Sequence, residues 1–142
     1  MEETDQKRKK KPLKIVAILF VLYVGMVAAF ESTLGLFQPA NQSTMVITTV
    51  DEDGTPHDRV VARLESGGQL FVAVNHWPRA WYRRTLENPN VQVTLEGERG
   101  DYLAVPTTDA EYDRVNDEHG LPFVFRVLTG FPRRYIVRLD PR

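Results

Sequence analysis

The chain contains no cysteine, and no lysine lies beyond Lys14. Without thiols there is no disulfide, no thiolate metal site and no cysteine nucleophile. Without lysine, everything after residue 14 lacks a Schiff-base amine and a phosphate-gripping lysine of the Walker kind. A disulfide-free chain suits either side of a membrane, so the compartment must be read from other features. Positive charge is also scarce: beyond Lys14, twelve arginines stand against sixteen acidic residues, a net of −4. That balance argues against a nucleic-acid-binding face. The three histidines are scattered, with no His-x-x-x-His or paired-carboxylate spacing, so no metal site is expected. What remains is 142 residues, 42% hydrophobic and 26% charged, the composition of one globular domain with an unusual N-terminus.

All five lysines and Arg8 crowd into residues 1–14, read as a basic cytoplasmic arm. Ile15 to Phe30 then runs sixteen residues without a charge. At 1.5 Å per residue that run is ~24 Å long, and continuing through Phe37 brings it to the ~30 Å of a hydrocarbon core. Residues 15–37 are therefore read as a membrane-anchor helix. The basic arm predicts a cytoplasmic N-terminus, which puts the body on the far side of the membrane if the helix spans. A cleaved signal peptide is the alternative, with small residues at Val27-Ala28-Ala29 for the peptidase. An interfacial helix would keep a polar stripe, which this run lacks.

Residues 38–43 are polar and turn-rich and read as a linker, leaving 44–142 as the folded domain. Met45 to Val50 is β-branched, Asp51-Glu52-Asp53-Gly54 supplies a turn, and His57 to Leu64 alternates, which together predict a hairpin. Gln69 to Val74 reads as a third strand. Val91 to Leu95 and Tyr102 to Val105 form a second hairpin around Gly97 and Gly100. Pro78 opens and Asn88-Pro89 closes a helix over 79–87. Thr108 with Glu111 reads as a capping box for a helix ending near Gly120. An apolar stretch, Leu121 to Phe131, leads to a last strand, Arg134 to Leu139. The sum is mainly β (α+β): an antiparallel barrel of about six strands with two short helices, preceded by the N-terminal hydrophobic helix.

The densest polar and aromatic cluster runs from Asn75 to Arg84, where a strand gives way to a helix. Free backbone N–H groups there, with Arg79 and Arg83, could hold a phosphate or carboxylate while Trp77 stacks on a ring. Read structurally, Trp81 and Tyr82 are core and Arg83 pairs with Glu87 on a solvated face. Arg59 and Arg63 share one face of the second strand and would line a cleft if that face points inward; as ordinary surface residues they would point outward.

The order of elements around NHWPRAWYRRTLENPNVQVTLEG resembles the deazaflavin-dependent nitroreductase and quinone reductase family. Its pattern of Trp-Tyr, Leu, Asn-Pro and Val matches Trp81-Tyr82, Leu86, Asn88-Pro89 and Val91. The resemblance implies a flavin-reductase-like split β-barrel. It also implies a homodimer and hydride transfer from a reduced deazaflavin to a quinone or nitroaromatic, with a flavin such as FMN as the substitute cofactor where the chain departs from the family. By that resemblance Ala73, Val74, Asn75 and His76 would run along the cofactor, with Arg79 at the helix start; Arg59, Arg63, Trp77 and Arg83, candidates from their own chemistry, would join them in binding it. His76 or Tyr82 would protonate the acceptor. In place of the family's basic turn of the Gly-Arg-Lys-Ser-Gly kind stands Asp51-Glu52-Asp53-Gly54, whose charge argues against the usual site for the coenzyme's anionic tail. The expected activity is that of a membrane-anchored oxidoreductase. The alternative is a non-catalytic barrel that binds a fatty acid, haem or a partner protein, which the acidic turn and Phe123, Phe125 and Phe131 suit.

Overall fold

The computed structural model describes residues 2–34, 43–75, 77 and 80–142, and no side chain of residues 2–11 or 34. Six strands follow α1 (Glu2–Leu34): β1 (Thr44–Val50), β2 (Pro56–Ser66), β3 (Gln69–Val74), β4 (Asn90–Leu95), β5 (Glu98–Pro106) and β6 (Tyr135–Pro141). They close an antiparallel barrel in the order β1-β2-β3-β6-β5-β4. Helices α2 (Ala80–Glu87), α3 (Asp109–Glu118) and α4 (Phe123–Leu128) fill the longer connections.

The alternation of apolar residues explains why the strands curl into one barrel. Met45, Ile47, Val61, Val72, Val74, Val91, Val93, Ala104, Val137 and Leu139 point to a common interior, together with Trp81 of α2. Each fully buried aliphatic side chain is worth about 1.5–3 kcal/mol against exposure. Strand β3 is apolar on both faces because its other side, Phe71 and Ala73, packs with Leu64 and Ile136 under Val115 of α3. A salt bridge from Arg138 of β6 to Glu111 of α3 (2.7 Å) ties that helix to the barrel, and Asp140 on the same strand holds the guanidinium in place.

Two expectations need correction. Thr108 stands at the N-cap with extended backbone (φ −136°, ψ 158°), yet its side chain caps nothing. The expected capping box is absent because Glu111 is drawn to the Arg138 guanidinium, a stronger donor than a backbone amide. The stretch from Leu121 to Phe131, expected to have no element of its own, contains α4. Pro122 at its N-cap sets the entry, and packing against α1 overrides the modest helix propensity of Phe-Val-Phe. The expected linker, but for Ser43, lies outside the described residues.

One irregularity matters for function. Strand β2 pairs with β1 from Pro56 to Ala62, but with β3 only from Arg63 to Ser66. Its first seven residues therefore have a ladder on one side only, which leaves a seam between β2 and the end of β3.

Candidate functional site

The seam opens at the barrel end crossed by α2. Trp81 plugs that end from within and is only 6% exposed. Arg84 Nε donates to Thr49 Oγ1 (2.8 Å), fastening the helix to the last turn of β1. Tyr82 lies against Tyr135 at the start of β6 in a stacked pair, ring centroids 5.1 Å apart and 22° between planes. The Arg133 guanidinium sits over the other partner of that stack, 5.3 Å from the Tyr135 centroid. A flat aromatic wall edged by a cation results, a geometry that suits planar, anionic or electron-rich rings.

Two clefts flank the Arg133-Arg134 segment. One of about 440 Å³ is bounded by Tyr82, Thr107, Tyr112, Arg133 and Tyr135. The other, about 490 Å³, is bounded by Asn75, Asn116, Arg126, Phe131 and Arg134. Arg134 borders both. It donates from Nε to Asn75 Oδ1 (2.9 Å) and from Nη1 to Asn116 Oδ1 (3.0 Å) and the His119 carbonyl (2.9 Å). Burial lowers its pKa below the ordinary guanidinium range, though a guanidinium so held stays charged at neutral pH.

Arg59 faces inward. Its register partner on β1 is Ile47, an interior residue, and its Nη2 is shielded from solvent without a hydrogen-bond partner among the described residues. A shielded guanidinium nitrogen with no acceptor is costly unless an anion completes it. Arg63 shares that strand face, as expected, but its charge is already answered by Glu65 and Glu96, the latter at 3.2 Å. Of the other expected site residues, Ala73 and Val74 are core, 7% and 3% exposed, so only their backbone could meet a ligand. Asn75 is in the larger cleft, Tyr82 in the smaller. Trp77 is surface-exposed, with its N–H donating to Glu31 Oε2 (2.8 Å), and Arg83 is exposed on α2. His76 and Arg79 lie outside the described residues. Sequence reasoning missed Arg133, Arg134, Tyr112 and Tyr135. The available signal was a pair of arginines between Pro132 and an aromatic strand start, in a body where cations are few.

The acidic turn folds inward on itself. Asp51 accepts from the amides of Asp53 (3.1 Å) and Thr55 (2.8 Å) with Oδ1 and meets His57 Nε2 (2.8 Å) with Oδ2. Gly54, at φ +81°, closes the turn where a side chain would be strained. The hydrogen bond from His57 foremost, then those from the amides, lower the Asp51 pKa below the usual carboxylate value. A depressed carboxylate stabilises the fold above its unfolded pKa, and that contribution disappears as pH falls through the folded one. The Asp53 and Thr55 amide resonances should therefore move together on acidification below about pH 4. Independent titration of the two amides would show that Asp51 does not organise the turn.

The sequence pattern described as F420H(2)-dependent quinone reductase matches residues 21–120, from the middle of α1 through α3. Among solved structures, the chain is similar to HutZ, a haem storage protein from Vibrio cholerae, at 20% identity and TM-score 0.56, covering 82% of this chain and 87% of that one. An F420-H2 dependent reductase, FDR-A, is similar at 15% identity and TM-score 0.54, covering 72% and 98%. Rv2991, a conserved hypothetical protein from Mycobacterium tuberculosis, is similar at 16% identity and TM-score 0.53, covering 79% and 80%. At these identities the structures establish the shared barrel. No curated protein sequence matches the chain. Because the family pattern spans most of the chain and the barrel is the one the resemblance implied, the chain belongs to the F420H2-dependent quinone reductase family and is a deazaflavin-dependent oxidoreductase.

Proposed function

We propose that the chain is a membrane-anchored reductase that passes hydride from F420H2 to a quinone, with a nitroaromatic as a surrogate acceptor. The observation that carries the placement is Arg59, whose shielded, unpartnered Nη2 lies on the inward face of β2 along the seam. An anionic group of a deazaflavin coenzyme supplies the acceptor it lacks, so the residues present fit that cofactor. A reduced deazaflavin, when bound, supplies hydride. The chain's part is position and electrostatics. Tyr82 and Tyr135 offer a stacking face, and Arg133 with Arg134 gives the clefts positive potential that favours an oxyanion forming on a quinone. Reduction of a quinone to its hydroquinone takes one proton besides the hydride. We assign that proton to Tyr82, in the cleft wall, or to His76, which follows Asn75 in the chain.

Haem storage belongs to the relative that is named for it. Of the histidines described here, His57 has Nε2 on Asp51 and His119 has Nε2 on the Glu65 carbonyl, and neither borders the two clefts beside Arg134. The anchor is α1, whose Pro12–Thr33 segment is long and apolar enough to cross a membrane, with a mean hydropathy of 2.5 and no buried residue over its most apolar eighteen residues. The basic arm supports a cytoplasmic N-terminus. A homodimer, checked by native mass, completes the proposal.

The test is binding and turnover by the full chain in detergent micelles. Arg59→Ala should weaken F420 binding roughly 10- to 100-fold, the value of one charge-assisted hydrogen bond. Arg63→Ala, with its charge answered elsewhere, should leave it close to unchanged. Equal losses in both variants would overturn the placement. No quinone-dependent oxidation of F420H2 by the wild-type chain would overturn the reaction.

A further inference from the structure

Helix α4 presents its apolar side chains to the outside. Phe123 and Val124 are 70% and 67% exposed, and Phe131, just beyond the helix, is 49% exposed. Phe123 and Phe131 lie 6.1 Å apart and form one patch. Exposed apolar residues clustered this way mark a contact surface. The same short helix is the docking point of α1. Phe30 meets Phe125 edge-on at 6.1 Å, the Tyr23 hydroxyl donates to the Val127 carbonyl (2.8 Å), and Val27 packs where Gly130 has no side chain.

The depth of those contacts decides what covers the patch. Tyr23 lies in the middle of the apolar segment Pro12–Thr33, and Glu31, which holds the Trp77 amide, lies near its end. Eight residues of helix separate them, ~12 Å, against ~15 Å for half the hydrocarbon core. An element that touches α1 from Tyr23 to Phe30 is therefore immersed wherever α1 is. The Val127 carbonyl, which also accepts from the Gly130 amide (3.2 Å), gives the Tyr23 hydroxyl an acceptor that hydrocarbon could not supply. Arg126, the charged residue of α4, lies with its guanidinium 5.5 Å from the Phe131 ring and has the reach to extend toward phosphate headgroups.

We propose that α4 is a second membrane element, immersed beside α1 in the leaflet nearest the barrel, with Phe123, Val124 and Phe131 facing lipid. Arg126 and Phe131 also border the larger cleft. On the functional reading above, a lipid-dissolved acceptor then enters that cleft from within the leaflet.

The absence of cysteine permits single labels without background. Phe123→Cys, Val124→Cys, Ile18→Cys and, as an aqueous control, Glu52→Cys are made in the full chain, labelled with an environment-sensitive fluorophore and reconstituted into phosphatidylcholine–phosphatidylglycerol vesicles. All four positions are exposed, so the labels should not disturb folding. The expected result is quenching at 18, 123 and 124 by lipids carrying nitroxide on the acyl chain, with protection from iodide; position 52 shows the reverse. Lipid quenching at 18 with iodide access at 123 and 124 would overturn the proposal, as would iodide access at all four. Protection at 123 and 124 without lipid quenching would also overturn it and would mean that a second copy of the chain covers the patch. None of these readouts depends on turnover, so a failed reductase assay leaves this result intact, and the converse holds.

Discussion

Trp81→Ala will lower the stability of the barrel by about 3–5 kcal/mol, the range for removing a fully packed large aromatic side chain. Trp81 is the one α2 side chain in the barrel's interior cluster, beside Met45, Ile47, Val91 and Val137. Its loss leaves a void at the end of the barrel where the strands have least support from one another, because β2 there is bonded on one side only. For a domain of about 100 residues each kcal/mol is worth roughly 4–8 °C, so the midpoint of thermal unfolding should fall by at least 10 °C or so. The measurement is circular dichroism melting in detergent micelles. Trp81→Phe should recover most of the loss, and Leu86→Ala, at a position 53% exposed on the same helix, should cost little. If Leu86→Ala and Trp81→Ala destabilise equally, α2 is held by its surface and does not act as a plug.

The second large effect belongs to Arg134. Its guanidinium binds Asn75 after β3, Asn116 on α3 and the carbonyl of His119 beyond α3, so one side chain joins three segments around the clefts. Replacement by Met keeps the volume and removes every bond. Hydrogen bonds to charged groups are each worth about 1.5–3 kcal/mol, and water entering the open cleft recovers part of that, so we expect a net loss of about 2–3 kcal/mol. Lys should not rescue it. An ammonium is a single point charge and cannot reach two amides and a carbonyl as a planar fork does. Because Arg134 also borders both clefts, Arg134→Lys should lower kcat/KM for a quinone even at temperatures where the variant is still fully folded. Equal, small effects of Met and Lys on stability would mean that the fork is not what holds these segments.

The elements differed in how legible they were. Gln69–Val74 was readable to the residue because a run of five apolar residues, Leu70 to Val74, set between the Gly67-Gly68 turn and Asn75, reads as a buried strand. The closing of α2 at Glu87 was readable from Asn88-Pro89, since the residue before proline cannot remain helical. Helix α4 was not readable. A run of Phe, Val and Leu has no helical period of its own, and its partner, α1, lies about a hundred residues earlier in the chain. The capping box failed for the same reason: the competing ligand of Glu111 is Arg138, on a strand 27 residues away. At the site, the Trp-Tyr pair was visible in sequence, but the division of labour between them was not. Trp81 is core and Tyr82 is cleft wall because adjacent helical positions point about 100° apart, one into the barrel and one along its rim.

The amino-acid sequence by itself determined the class of chemistry and the general plan. Missing thiols and lysines removed most covalent mechanisms, alternation set the strands, and an uncharged run after a basic arm defined the apolar helix. These are local properties, carried by composition and by periods of two and 3.6 residues. The tertiary structure alone decided which arginines matter. Arg59 and Arg63 are indistinguishable in a pattern that places both on one strand face, and folding surrounds Arg63 with carboxylates while shielding Arg59 without an acceptor. Charge neutralisation acts over a few ångströms of space between residues far apart in sequence, as Arg63 and Glu96 are, and only closing the barrel brings them together.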